Sequence, residues 1–153
     1  MERIDERRLA HSFHRKPNLL NLRQHYRILV VDDDAIFLVE FEDLLKEHGF
    51  RIYTAIDGEA CLDMVDRIKP HLILLDIAMP RVDGFGLLRI FQANPDLKHI
   101  PVAVISGKTS ERDIPTDCRS RISAFFSKPF ELKALLKELD QLLLGVKPST
   151  GLN

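Results

Sequence analysis

From Tyr26 onward the chain keeps changing its periodicity. Short, nearly unbroken apolar runs (Ile28-Leu29-Val30-Val31, Ile52 to Ile56, Leu72-Ile73-Leu74-Leu75, Val102-Ala103-Val104-Ile105 and Ala124-Phe125-Phe126) are separated by stretches whose apolar residues recur at helical spacing. Successive side chains of a strand point to opposite faces, so an unbroken apolar run has to bury both of them. Strands of that kind belong to a parallel sheet covered by helices on both sides. The pattern therefore predicts an α/β sandwich of five parallel strands joined by right-handed crossovers.

The connecting segments carry their own start and stop signals. Phe37, Phe41, Leu44 and Leu45 mark a first helix that ends at His48-Gly49. A second runs from about Gly58 to Ile68, with Ala60, Cys61, Met64, Val65 and Ile68 on one face, and stops before Pro70. A third begins near Asp83-Gly84 and carries Leu87, Leu88 and Phe91, and a last one spans Glu131 to Leu144 before Gly145 and Pro148. The domain expected from these elements is 26–145, with a basic extension 1–25 before it and a polar tail 146–153 after it.

Composition narrows the class. The 153 residues carry 22 basic and 23 acidic side chains, a formal net charge of -1. That removes a global electrostatic reason to expect nucleic acid or an anionic membrane as partner. The balance is a cancellation, because residues 1–25 hold six Arg or Lys against three acids. A chain of this length buries about 70% of its unfolded surface and needs neither disulfide nor structural metal to hold a core. Cys61 and Cys118 form no CxxC pair and no secretory pattern, so they read as small helix-core residues in a reducing compartment. No apolar window approaches the roughly 18 residues of a membrane span, and Met1 to Arg8 is charged with no apolar stretch behind it. A cytoplasmic protein is expected. His11 and His14 have no third ligand nearby and suggest no metal site.

In an open α/β sheet the reactive crevice lies beyond the carboxyl ends of the strands. After the first run come Asp32-Asp33-Asp34, after the third Asp76, after the fourth Ser106 and after the fifth Lys128. Acids converging on one crevice repel one another, and they either take up a proton or bind a cation. With oxygen ligands alone that cation should be hard, and Mg²⁺ fits best. Any single aspartate here reads more readily as a helix cap than as a ligand, and Asp34 is expected to cap the helix that starts at Ala35. A cap does not account for the whole set of acids, hydroxyl and lysine at one end of the sheet.

These residues carry a resemblance. Val30-Val31-Asp32-Asp33, Leu74-Leu75-Asp76-Ile77-Ala78-Met79-Pro80, Asp83-Gly84, Val104-Ile105-Ser106 and Ser127-Lys128-Pro129-Phe130 resemble, in order and spacing, the receiver domain of two-component response regulators. The resemblance spans about Tyr26 to Gly145 and implies the flavodoxin-like strand order 2-1-3-4-5. It implies that Asp76 is the phosphoacceptor, taking a phosphoryl group from a histidine kinase or a phosphotransfer protein. Asp33 would be the direct acidic ligand of Mg²⁺, Asp32 an acid acting through metal-bound water, and Ala78 the donor of a backbone carbonyl. Ser106 would be the hydroxyl that turns to the phosphoryl oxygens, Lys128 the cation that pairs with Asp76 and then with the phosphate, and Phe125 the aromatic switch position. A cis Lys128-Pro129 bond is also implied. Such a domain is a switch rather than a turnover enzyme. The expectation is a stand-alone regulator that acts on a downstream protein effector, with homodimerisation left open and no DNA-binding element after the receiver.

The chain departs from that pattern between Gly107 and Ile122. Pro115 interrupts the segment, and its apolar stripe is thin (Ile114, Cys118, Ile122). The helix expected there starts either at Ser110, through a Ser-x-x-Asp cap with Asp113, or with Pro115 as its first residue. The late start is favoured, which leaves Lys108 to Asp113 as a loop. Phe125 lacks the hydroxyl of the tyrosine that many relatives carry. Two other readings are weighed: a Mg²⁺-dependent phosphohydrolase with an aspartate nucleophile, which would want a second acid where Ala78 stands, and an adaptor that uses the fold without phosphorylation.

Overall fold

The computed structural model describes residues 18–79 and 83–146. They form α1 (Leu19–Arg23), β1 (Arg27–Val31), α2 (Ala35–Glu47), β2 (Arg51–Ala55), α3 (Gly58–Ile68), β3 (Leu72–Leu75), α4 (Gly84–Ala93), β4 (Val102–Ser106), a 3-10 turn (Glu111–Asp113), α5 (Thr116–Arg119), β5 (Ile122–Ser127) and α6 (Leu132–Leu144). The strands pair in parallel in the order β2-β1-β3-β4-β5. This is the α/β sheet with the 2-1-3-4-5 order expected.

Alternation along the strands sorts the core into two layers. Ile28, Val30, Leu72, Leu74 and Ile105 face α2 and α6, where they meet Phe41, Leu45, Leu135 and Leu139. Leu29, Val31, Ile73, Leu75 and Val104 face α3 and α4 and meet Cys61, Val65, Leu88 and Phe91. Two-sided burial holds for β1, β3 and β4 but not for β2 and β5, which mix buried or half-buried residues with exposed ones. An edge strand has a neighbour on one side only. Both cysteines are buried in helices as free thiols. Burial, with a smaller push from Asp57, raises the Cys61 thiol to about 12, so it stays protonated and unreactive. Among the described residues no helix is long and apolar enough to cross a membrane.

Three local features differ from the sequence reading or sharpen it. The segment 108–113 is not all loop, because Ser110 donates its hydroxyl to Asp113 Oδ2 (2.8 Å) and its carbonyl accepts from the Asp113 N–H (3.0 Å), closing a 3-10 turn over Glu111–Asp113. Helix α5 starts late, as favoured, but Pro115 is its N-cap rather than its first residue: its ψ of 142° is extended. The helix is only four residues long and is tied to α4 by the Arg89–Asp117 pair at 2.7 Å. Finally, the β4–β5 register slips by one residue, with Val102 opposite Ile122 but Ala103 opposite Ala124. The extra residue, Ser123, is exposed, and the slip lets Ile122 and Phe125 pack against the same core layer.

Of the expected extension, residues 1–17 lie outside the described residues, as do 147–153 of the tail. Residues 18–25 do not stand apart from the domain. Arg23 forms a bidentate pair with Asp140 of α6 (3.0 and 2.7 Å), donates to the His48 carbonyl (2.9 Å) and lies over the Phe50 ring at 4.8 Å. Gly49, at φ 92°, passes so close to Leu20 that a Cβ there would stand 3.1 Å from its backbone. Arg23→Ala should therefore cost about 1.5–3 kcal/mol, the scale of hydrogen bonds to charged groups. The check is a lower urea midpoint with an unchanged m-value.

Candidate functional site

The polar residues at the strand ends meet where the sheet order predicts. Strands β1 and β3 are neighbours in register, Val31 opposite Leu75, so the residues that follow them, Asp32 and Asp76, emerge side by side. Asp32 is 2% and Asp76 8% exposed. Each is fixed by the turn after its strand: Asp32 Oδ1 accepts from the Asp34 N–H (2.9 Å) and Asp76 Oδ1 from the Ala78 N–H (2.8 Å). Asp33 completes the group, with one carboxylate oxygen from each of Asp32, Asp33 and Asp76 lying within 4.8 Å of one another. Asp34 turns away and caps α2, accepting from the Ile36 and Phe37 N–H groups (both 3.1 Å).

Lys128 enters from the far edge. Its Nζ donates to Asp32 Oδ2 at 2.6 Å and to Asp76 Oδ2 at 3.4 Å. Its backbone N–H donates to the Ser106 carbonyl (3.0 Å), which brings the ends of β4 and β5 together, and the Lys128-Pro129 bond is cis. Ser106 is 1% exposed. Its Oγ accepts from the Thr109 N–H (3.2 Å) and, at longer range, the Lys108 N–H (3.4 Å), which leaves its own hydrogen available to an acceptor in the crevice. Phe125 is half-buried in β5 opposite Val104 and packs against the α3/α4 layer of the core.

The electrostatics are those of an excess of negative charge. Burial raises the Asp76 carboxyl above its ordinary value. The Ala78 N–H works against that shift, the Asp32 charge adds to it, and Lys128 opposes it. One lysine does not neutralise three carboxylates, and the hard oxygen donors that remain suit a divalent cation such as Mg²⁺.

The sequence reading named these residues but not Phe37. It placed Phe37 in the apolar stripe of α2, where the residue does pack against the core, and its ring also lies beneath the Lys128 ammonium, 4.0 Å from Nζ to its centroid. The available signal was its position: it is the first aromatic after the paired acids, on the first turn of the helix they introduce.

Comparison with known proteins agrees with the geometry. Residues 28–140 match the family model described as the response regulator receiver domain. The transcriptional regulatory protein PrrA of Mycobacterium leprae is 35% identical over 117 residues, which is 76% of this chain and 49% of that protein. The response regulator MprA of Mycobacterium avium is 32% identical over 122 residues, 80% of this chain and 53% of that one. This chain thus spans about half the length of these relatives. Among solved structures, the receiver domain of a signal transduction histidine kinase from Syntrophus aciditrophicus superposes with a TM-score of 0.72 at 27% identity, covering 84% of this chain and 97% of that domain.

Proposed function

The chain belongs to the response regulator receiver domain family, and from that premise we propose that it is a phosphoacceptor switch centred on Asp76. The observation that carries this reading is the cluster of buried Asp32 and Asp76 with half-buried Asp33 at the carboxyl ends of the strands, where Lys128 pairs with Asp32 and Asp76. An Asp76 oxygen bonds to the phosphorus of a phosphohistidine while the P–N bond breaks, and the departing imidazole keeps the electron pair and takes a proton. The donor is a histidine kinase or a phosphotransfer protein.

Phosphoryl transfer needs little covalent help and much positioning and charge neutralisation. Asp32, Asp33, Asp76 and the Ala78 carbonyl are the groups that would hold Mg²⁺, which when bound neutralises charge on the transferring group. Lys128 supplies a second positive charge. The incoming phosphoryl brings a charge of about -1.5 to -2 and new acceptor oxygens next to Ser106. The Ser106 hydroxyl donates to them, and because the same oxygen accepts from the 108 and 109 N–H groups, its reorientation moves the loop that leads to α5. Phe125, which packs against the core layer that also holds Cys118 of α5, follows that loop. The output is phosphorylation-dependent binding of a downstream protein, in the cytoplasm.

The phosphohydrolase reading finds no support at position 78, where an alanine stands two residues after the nucleophile and no second acid is placed as general acid. Fluoroberyllate, a phosphoryl mimic, separates the switch from a non-phosphorylated adaptor. Titrated with Mg²⁺ and followed by amide NMR, it should shift the resonances of Ser106, Thr109 and Phe125. A Mg²⁺-dependent titration that leaves all of them in place would favour the adaptor.

A further inference from the structure

A lysine ammonium has three N–H groups, and two of those on Lys128 point to carboxylates, Asp32 at 2.6 Å and Asp76 at 3.4 Å. The remaining side of the cation lies on the Phe37 ring, 4.0 Å from its centroid. That support is itself braced. The Phe37 N–H is held by the Asp34 cap (3.1 Å), so the first turn of α2 fixes the backbone beneath the ring. The ring stacks on Phe41 at 5.0 Å and 21°, and Phe41 meets the edge of Phe130 at 5.5 Å and 63°. Phe130 stands two residues beyond Lys128, so the aromatic row closes back onto the segment that carries the lysine.

An aromatic face suits this place for a chemical reason. The ring attracts the ammonium through its quadrupole yet adds no formal charge to a crevice that already holds three acids and has to admit an anionic donor. A fourth carboxylate would hold Lys128 as well and repel the phosphoryl group. An aliphatic side chain would fill the space and leave one side of the cation without a partner. With its side chain 24% exposed, Lys128 is shielded enough for the contact to count.

We propose that Phe37 is a positioning residue: its ring sets where the Lys128 ammonium stands between Asp32 and Asp76, and through that cation the rate at which Asp76 is modified. This rests on the phosphoacceptor reading above. The test uses the full chain with acetyl phosphate and Mg²⁺, comparing wild type, Phe37→Leu and Phe37→Tyr by intact mass over time. In parallel, the ε-methylene shift of Lys128 is read by carbon-13 NMR without any phosphodonor. In the wild type that methylene should carry an upfield ring-current shift. Phe37→Leu should lose the shift and slow modification about 2- to 30-fold, the range that corresponds to a cation–π contact of about 0.5–2 kcal/mol. Phe37→Tyr, which keeps the ring, should restore both. Modification of Phe37→Leu at the wild-type rate, a Lys128 methylene with no ring-current shift in the wild type, or a tyrosine variant as slow as the leucine one would each overturn the proposal. Failure of the phosphoacceptor reading looks different: the wild type itself is not modified.

Discussion

Asp76→Asn will not be modified by acetyl phosphate and Mg²⁺ under conditions in which the wild type gains the mass of one phosphoryl group. The substitution keeps the size of the side chain and can keep the hydrogen bond from the Ala78 N–H, which needs only an oxygen acceptor. It removes the nucleophile, since an amide oxygen does not form an acyl phosphate. It also removes one of the three carboxylates that stand within 4.8 Å of one another, so the variant should bind Mg²⁺ more weakly while folding at least as stably as the wild type. Loss of modification together with retained stability assigns the effect to chemistry rather than to unfolding. Equal modification of both proteins would sink the proposed role of Asp76. Acidity gives a second check. Burial raises the Asp76 carboxyl above its ordinary value of 3.8, so the wild type takes up its proton at a higher pH than an exposed aspartate does. In the metal-free protein the Asp76 carboxyl carbon, followed by carbon-13 NMR as the pH is lowered, should therefore titrate above its ordinary value. A midpoint at or below 3.8 would contradict that direction.

Gly84→Ala should cost more stability than the same change at Gly86, Gly107 or Gly145. Gly84 opens α4, and a Cβ built on it would stand 2.5 Å from the Cα of Ile77 and 3.0 Å from its Cβ. The first of those atoms is backbone and cannot rotate aside. By contrast, a Cβ on Gly107 would meet only the Lys128 side chain, at 3.5 Å, which is ordinary contact. Overpacking of a fitted site costs about 1–3 kcal/mol, and a fixed backbone obstacle places Gly84→Ala toward the upper part of that range, with Gly107→Ala as the near-neutral control. The consequence reaches the site, because Ile77 lies between Asp76 and Ala78. Displacing its Cα moves both the nucleophile and the carbonyl proposed to face Mg²⁺. A lower urea midpoint together with a weaker Mg²⁺ titration by calorimetry is the expected pair. A variant as stable as the wild type would mean that α4 is free to step back from the 77–79 turn.

Much of this site was legible because it lies at strand ends. Asp32, Asp76, Ser106 and Lys128 each follow a short apolar run directly or within one residue of its end. A chain that alternates runs and helical stretches has to bring those ends to one edge of a parallel sheet. Helix stops were legible for a similar reason, as with Gly49 at φ 92°, where the backbone conformation favours glycine. The segment around Pro115 was only half legible. Its cap and its proline are local signals, but the choice of a four-residue helix pinned by Arg89 depends on a partner 28 residues away. The same applies to Arg23. Its charge reads as part of a basic arm until the fold sets it on Asp140, 117 residues later.

The class of fold and the strand-end residues could be read from the chain alone, because burial on one or both faces is written in the local rhythm of apolar residues, and the motifs at those strand ends carried the family resemblance. Tertiary structure alone decided which of those residues touch. The slip at Ser123 that puts Ile122 and Phe125 on one layer, the choice of Asp32 as the shorter partner of Lys128, and the ring of Phe37 beneath that lysine all depend on strand register and on distances between residues far apart in the chain. Such distances are fixed by how whole elements pack, and no short window of sequence contains them.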